Sequence, residues 1–189
     1  MRRFLVYALL GLFFASERLF RQPAATSLIA EQSDRRSTMR ILRALSVSAL
    51  GLLLAPLLDA VRIGRLPRSR MLFRTGVTAM VTGLVIRAWA MRALGIAYTR
   101  TLHAVDDQRL IQDGPFRLIR HPGYLGTLLV WLGAALALAN GITIAVVGMA
   151  LIPAYGQRIS AEEAMLAELF GSGYETYQSR TWRLVPFFY

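Results

Sequence analysis

No cysteine occurs among the 189 residues, which excludes disulfides, thiolate nucleophiles and Cys-ligated metals. Lysine is also missing. All 22 basic residues are arginine, a bias that a GC-rich genome explains, and they leave a net charge of +11. Histidine appears only as His103 and His121, too few to supply a conventional zinc site. Charge as a whole is scarce: 17% of residues are charged and 55% are hydrophobic, where a soluble domain has about a quarter charged. The length is one domain's worth of chain. The surplus apolar surface must therefore face lipid. A nucleic-acid partner would need basic residues clustered on one soluble face. Here the arginines lie between apolar runs, where anionic lipid headgroups are their natural partners.

Each straight span of a bilayer takes roughly 20 apolar residues, with a range of about 17–25. The first run, 4–20, is broken by Glu17 and Arg18 and follows Arg2 and Arg3. That also suits a signal peptide, but no small-residue cleavage site followed by a soluble domain appears, so a retained helix is expected. Residues 22–40 are polar, carry Pro23, and read as a loop. Further spans are predicted over 41–59 and 71–94, with Arg87 and Arg92 snorkelling to the interface at the end of the latter. The polar stretch 95–121 is too rich in Asp, Arg and Gln for hydrocarbon and too long for a turn. Two apolar runs, 124–139 and 142–155, flank Asn140-Gly141, where both residues tolerate positive φ; they predict a helical hairpin. From Gln157 onward the chain turns amphipathic, then aromatic.

The expected fold is thus an all-α integral membrane protein of about five transmembrane helices, with a cytosolic C-terminal amphipathic helix. Residues 1–94 supply N-terminal transmembrane helices. Residues 95–189 supply a connecting segment, the hairpin and the C-terminal helix, all within one structural domain. Arginine counts place the C-terminal half and the 22–40 loop in the cytoplasm and the N-terminus outside. The expected location is the cytoplasmic membrane of a prokaryote.

Two segments could carry chemistry. The first is Gly114-Pro-Phe-Arg-Leu-Ile-Arg-His-Pro-Gly-Tyr124. Pro122 pushes His121 toward extended backbone, and Gly123 permits close approach before a helix begins near Tyr124. That helix start would turn its positive end toward an electron-rich group at the membrane surface; an ordinary loop-to-helix junction with a structural histidine fits the local pattern as well. The second segment opens with Arg158 and Glu162, neighbours on one helix face. Met165, Leu166, Leu169 and Phe170 form an opposing apolar stripe, and Ser160 with Glu163 has capping-box spacing, unless the preceding span simply runs on. Alone, Arg158 and Glu162 read as a solvated surface pair worth under about 1 kcal/mol. The aromatic residues from Tyr174 to Tyr189 suit an interfacial belt.

Together the motifs say more. Gly-Pro-Phe-x4-His-Pro-Gly-Tyr-x-Gly is followed by an apolar hairpin, then Arg-x3-Glu-Glu-x2-Leu-x3-Phe-Gly-x2-Tyr-x2-Tyr and a terminal Arg-x2-Pro. This order resembles the isoprenylcysteine carboxyl methyltransferase family, over residues 97–186. The resemblance implies an S-adenosylmethionine-dependent methyltransferase with a cytosolic cofactor pocket. Carried over by position, the cofactor site includes Gln108, Arg109, Leu110, Ile111, Phe116, His121, Pro122, Gly123, Tyr124 and Glu162, with His103 as a further contact. Arg158 would face the substrate carboxylate, and Arg158 with Glu162 would form the catalytic pair. No metal is implied. Phe116 stands where the family commonly has tyrosine, and Gln108 where histidine is frequent.

Methyl transfer from a sulfonium to an ionised carboxylate needs no base, metal or covalent nucleophile, only orientation and exclusion of water. The implied acceptor is lipid-tailed, such as a prenylated cysteine, entering from the bilayer. Three other readings share parts of the pattern: a phospholipid amine N-methyltransferase, which would need a base; an NADPH-dependent sterol-reductase-like enzyme; and a non-catalytic membrane binding protein.

Overall fold

A computed structural model describes residues 1–19, 31–67, 69–94, 110–187 and 189. Six α-helices follow in order: α1 (Arg2–Leu19), α2 (Glu31–Ala60), α3 (Arg70–Leu94), α4 (Pro122–Leu138), α5 (Gly141–Phe170) and α6 (Ser172–Arg180), with a 3-10 turn at Gly114–Arg117. The chain is all-α, with several helices apolar enough for a multi-pass membrane protein. By length and composition α2 from Arg36, α3 and α5 can each cross a membrane, and α4 is a shorter apolar helix. Leu50, Leu53 and Leu57 on α2, Val81 and Val85 on α3, and Met149 and Ile152 on α5 are exposed. A row of aliphatic side chains on three helices is costly in water and natural against lipid tails.

The centre of the bundle is α4. Val130, Trp131, Ala134 and Ala135 are almost completely buried, and α4 touches α1, α2, α3 and α5. A helix surrounded by helices has no polar face to offer, which is why this sequence is apolar all round. Its closest neighbour is α3. A Cβ on Gly76 would lie 2.5 Å from the Gly133 carbonyl oxygen, and one on Gly83 would lie 2.5 Å from that of Gly126. The reverse additions meet the Gly76 and Gly83 carbonyls at 2.6 Å. Backbone therefore rests on backbone at two levels seven residues apart, the small-residue packing that membrane helices favour.

Four expectations change. The 22–40 segment is helical from Glu31, so α2 runs well past the apolar stretch. Helix α5 likewise continues unbroken to Phe170, and the Ser160–Glu163 spacing is interior to a helix rather than a cap. Arg87 does not snorkel: it is buried against Glu17 of α1. The hairpin forms as expected, but its left-handed residue is Ala139, at φ 53°, not Asn140. Asn140 sits in extended backbone and caps α5, its side-chain oxygen accepting the Thr143 N–H at 3.1 Å. The Asn140 amide nitrogen donates to the Ile63 carbonyl at 2.9 Å and to Asp59 at 3.3 Å, and Asp59 in turn pairs with Arg3 at 2.8 Å. This network, buried at Asn140 and Asp59 and exposed at Arg3, ties one end of the bundle together, where α1, α3 and α5 begin and α2 and α4 end.

Candidate active site

The opposite end gathers the last turn of α1, the start of α2, the end of α3, the first turn of α4 and the Arg158–Glu163 stretch of α5. Pro122 opens α4, where a missing N–H costs nothing and a fixed φ favours the first helical turn. His121 is the residue before it, at φ −123° and ψ 55° rather than in the extended conformation expected before proline. The C-terminal tail accounts for this. The His121 N–H donates to the Arg183 carbonyl at 3.2 Å, the Arg120 N–H to the Trp182 carbonyl at 2.8 Å, and the Trp182 N–H to the Leu118 carbonyl at 3.0 Å. A short parallel pairing thus fixes the approach to α4. The His121 carbonyl accepts the Tyr124 and Leu125 N–H groups, so the start of the helix is partly satisfied from within. Among the described residues a Cβ on Gly123 would meet the Arg87 guanidinium alone, at 3.8 Å.

Tyr124 is the hinge of the site. Its hydroxyl donates to Glu162 at 2.5 Å and accepts from the Arg158 Nε at 3.4 Å. One turn of α5 separates those two partners, so both converge on the same phenol from one helix face. The His121 ring stacks on Tyr124, centroids 5.6 Å apart and planes within 9°, and the Tyr155 ring lies tilted against Tyr124 with centroids 5.2 Å apart. Arg158 also donates to the Thr38 hydroxyl at 3.4 Å. At 5% exposure it is buried, which rules out the solvated surface pair that spacing alone suggests. The Glu162 side chain keeps 25% exposure.

Glu163, on the next face of α5, was not among the expected site residues. Its carboxylate is buried and accepts from Arg120 Nε at 2.8 Å and Arg183 Nε at 2.7 Å, with Arg183 Nη2 closer still; His121 Nε2 lies 3.3 Å away. One carboxylate therefore joins α5, the 118–121 segment and the tail, and holds the His121 ring by an edge. The signals were present in the Glu162-Glu163 doublet and in the terminal Arg-x2-Pro. What one-dimensional spacing could not show is that the second glutamate faces inward. Thr38 was missed because its segment read as loop.

The remaining expected residues divide. Phe116 is buried and its carbonyl accepts the Tyr177 hydroxyl at 2.8 Å. Leu110 and Ile111 are half-buried on the approach to the 3-10 turn. His103, Gln108 and Arg109 lie outside the described residues.

Burial pushes the Tyr177 phenol up to about 12, against a pull downward from Arg120. Burial, with Glu163 next, raises Tyr174 as well. A phenol whose folded-state value is raised stabilises the fold fully below its unfolded value near 10, and that stability is lost as pH climbs through the folded value. Thermal melts in detergent should therefore hold steady to about pH 10 and fall between about pH 10 and 12. Tyr177→Phe should lower the plateau, by losing the bond to Phe116, and flatten the alkaline decline. An unchanged slope in that variant would remove Tyr177 from the account.

Comparison with known proteins gives a consistent set of matches. The sequence profile of the isoprenylcysteine carboxyl methyltransferase family matches residues 76–168. A probable protein-S-isoprenylcysteine O-methyltransferase of Oryza sativa subsp. indica is 33% identical over 114 residues, 59% of this chain and 60% of that one. The protein-S-isoprenylcysteine O-methyltransferase of Dictyostelium discoideum is 32% identical over 117 residues, 61% of this chain and 49% of that one. This chain thus spans about half to three-fifths of the length of these relatives. A solved structure described as the eukaryotic intramembrane Ras methyltransferase ICMT superposes with a TM-score of 0.68 at 23% identity, covering 99% of this chain and 68% of that one; it shows the shared fold.

These matches correct one expectation. The relatives come from plants, a slime mould, a yeast, an insect and a frog, and the solved neighbour is described as eukaryotic. The prokaryotic cytoplasmic membrane does not stand. Arginine placement in loops reports the sign of a membrane face and carries no information about the kind of cell.

Proposed function

We propose, from the match of residues 76–168 to the isoprenylcysteine carboxyl methyltransferase family, that the chain is a membrane-embedded enzyme of that kind, which methylates the carboxylate of a lipid-tailed acceptor, such as a prenylated cysteine, with S-adenosylmethionine. The observation that carries the reading is the convergence of Arg158, Glu162 and the His121–Tyr124 stack at one end of an apolar bundle.

The residues present suit the cofactor's chemistry. A part-exposed carboxylate, Glu162, can receive its ammonium group. The stacked His121 and Tyr124, with Tyr155, offer ring faces to a sulfonium or a flat base. The Tyr174 hydroxyl, fully buried, has no hydrogen-bond partner among the described residues and can take a polar group of the ligand. When bound, S-adenosylmethionine supplies an electrophilic methyl group that an ionised carboxylate can accept without a base.

What the chain does is hold and orient. Arg158 binds the acceptor carboxylate: its guanidinium is planar and permanently charged, and a carboxylate competes for it with the Tyr124 and Thr38 hydroxyls, each at 3.4 Å. Glu162 belongs mainly to the cofactor side, and Tyr124 fixes the distance between the two by touching both. Burial of Arg158 excludes water from the acceptor side, which strengthens its attraction for an anion. Five helices, α1 to α5, span the membrane, with the N-terminus on the side opposite the site and α6 with the tail on the site's side.

The test is ligand binding followed by turnover. The purified protein should gain thermal stability with S-adenosylhomocysteine, as linkage requires, and should methylate a surrogate prenylcysteine. No stabilisation at millimolar concentration, with a clear response to NADPH, would replace this reading with the reductase-like one.

A further inference from the structure

We propose that Glu17 and Arg87 form an intramembrane clamp that positions the 121–124 turn, making helix α1 part of the site although it lies outside the matched segment. The inference rests on the methyltransferase reading for its ligand and on geometry alone for the clamp.

Arg87 reaches two elements at once. Its Nε donates to Glu17 at 2.6 Å, and Nη2 pairs with the same carboxylate oxygen. Its Nη1 donates to the Gly123 carbonyl at 2.8 Å and to the Thr127 hydroxyl at 2.7 Å, and that hydroxyl donates to the same Gly123 carbonyl at 3.1 Å. Phe13 of α1 covers the guanidinium face at 5.3 Å. Both charges are buried.

Stability does not account for this arrangement. A buried ion pair often does no better than well-packed apolar side chains of similar size. The cation also stands beside the first turn of α4, where the helix dipole already presents positive charge and disfavours another. Glu17 offsets that cost, and what remains is specificity of position. The Gly83–Gly126 contact sets how close α3 and α4 lie, and Arg87 is one turn beyond Gly83, which brings its guanidinium to the 123–127 turn. The fixed Gly123 carbonyl is adjacent to Tyr124, whose hydroxyl sits between Glu162 and Arg158. A shift of that carbonyl moves the phenol. Charged groups within a membrane bundle are functional by default, and here the function is to hold a neighbouring turn: Glu17 and Arg87 are positioning residues.

The test uses Glu17→Gln, Arg87→Lys and Thr127→Val in the full chain, with two readouts: S-adenosylhomocysteine affinity of the folded fraction, and amide hydrogen exchange across 121–127. Thr127→Val retains the Glu17–Arg87 pair and removes one hydroxyl, an acceptor for Arg87 and a donor to the Gly123 carbonyl, so it decides the matter if Glu17→Gln fails to fold. The expected result is affinity weakened about tenfold in Glu17→Gln and Arg87→Lys and less in Thr127→Val, with faster exchange concentrated at 121–127. A merely structural pair lowers the melting temperature and leaves both readouts of the folded protein unchanged, which overturns the clamp. If the wild-type protein itself binds no S-adenosylhomocysteine, the methyltransferase reading falls, and the exchange pattern still decides whether the turn is clamped.

Discussion

Arg158→Lys is expected to lower methyl transfer by roughly 10²-fold or more, the scale on which misplacing a reactant by about 1 Å acts. The lysine keeps the charge and occupies the same turn of α5, so membrane insertion and the melting temperature should change little. What it loses is the planar fork that holds one carboxylate oxygen and leaves the other free. Affinity for S-adenosylhomocysteine should stay near wild type if, as proposed, Glu162 serves the cofactor side. Glu162→Gln should do the reverse, weakening cofactor binding by roughly 1–3 kcal/mol through a lost charge-assisted hydrogen bond. The shared Tyr124 hydroxyl predicts that the two changes will not be additive, since each also frees the phenol from one of its two partners. Turnover on a surrogate prenylcysteine and calorimetric binding, run in parallel, separate these roles. Near-wild-type turnover for Arg158→Lys removes Arg158 from the reaction. Equal losses of cofactor affinity in both variants assign the whole pair to the cofactor.

Gly126→Val should be among the most destabilising single changes available outside the polar clusters. The first added carbon would lie 2.6 Å from the Gly83 carbonyl oxygen, 2.9 Å from the Arg87 Cβ and 3.0 Å from the Arg87 backbone nitrogen. None of these is the end of a flexible side chain, so relief requires α3 and α4 to part along their length. Overpacking in a well-filled core costs about 1–3 kcal/mol and occasionally more; with backbone on the receiving side the upper end or beyond is expected. Parting the helices also pulls Arg87 from Gly123, so activity should fall before unfolding is complete. Gly156→Ala is the control. Among the described residues nothing lies within 4 Å of the added carbon, and alanine in a helix interior should stabilise by about 0.5–1 kcal/mol. Thermal unfolding in detergent reads both. A Gly126→Val protein that melts like wild type would show that the α3–α4 contact is looser than its geometry.

The helices themselves were legible because spans announce themselves by length and apolarity, and the hairpin because Asn140-Gly141 interrupts an apolar run. Three things were not legible, each for a physical reason. Helix limits past the apolar stretches were hidden because α2 from Glu31 and α5 to Phe170 are extended by tertiary contact: Arg40 donates to Gln157 at 2.7 Å, so each polar extension supports the other. The fate of charges was hidden because hydropathy weighs Arg87 and Glu17 as single costs, whereas the fold brings them together across 70 positions. The division of labour between Glu162 and Glu163 was hidden because neighbours on a helix point about 100° apart, and only the return of the tail shows which one is enclosed. The motif pairing of His121–Tyr124 with Arg158–Glu162 did foretell two segments that meet in the fold, through the Tyr124 hydroxyl.

Helix α5 is anchored at one end by the Asn140 cap and carries Arg158 and Glu162 beyond its middle. From Gly141 to Arg158 it rises roughly 26 Å, close to the hydrocarbon core of about 30 Å. The height of the site above the anchored end is therefore fixed by the protein and indifferent to the lipid. Hydrocarbon thickness differs by about 5–6 Å between thin and thick cellular membranes, which is about one helical turn, the interval from Arg158 to Glu162. Hydrophobic mismatch thus acts on this fold as a depth gauge: a thicker bilayer brings lipid tails level with the acceptor side of the site, and a thinner one leaves it standing in the headgroups.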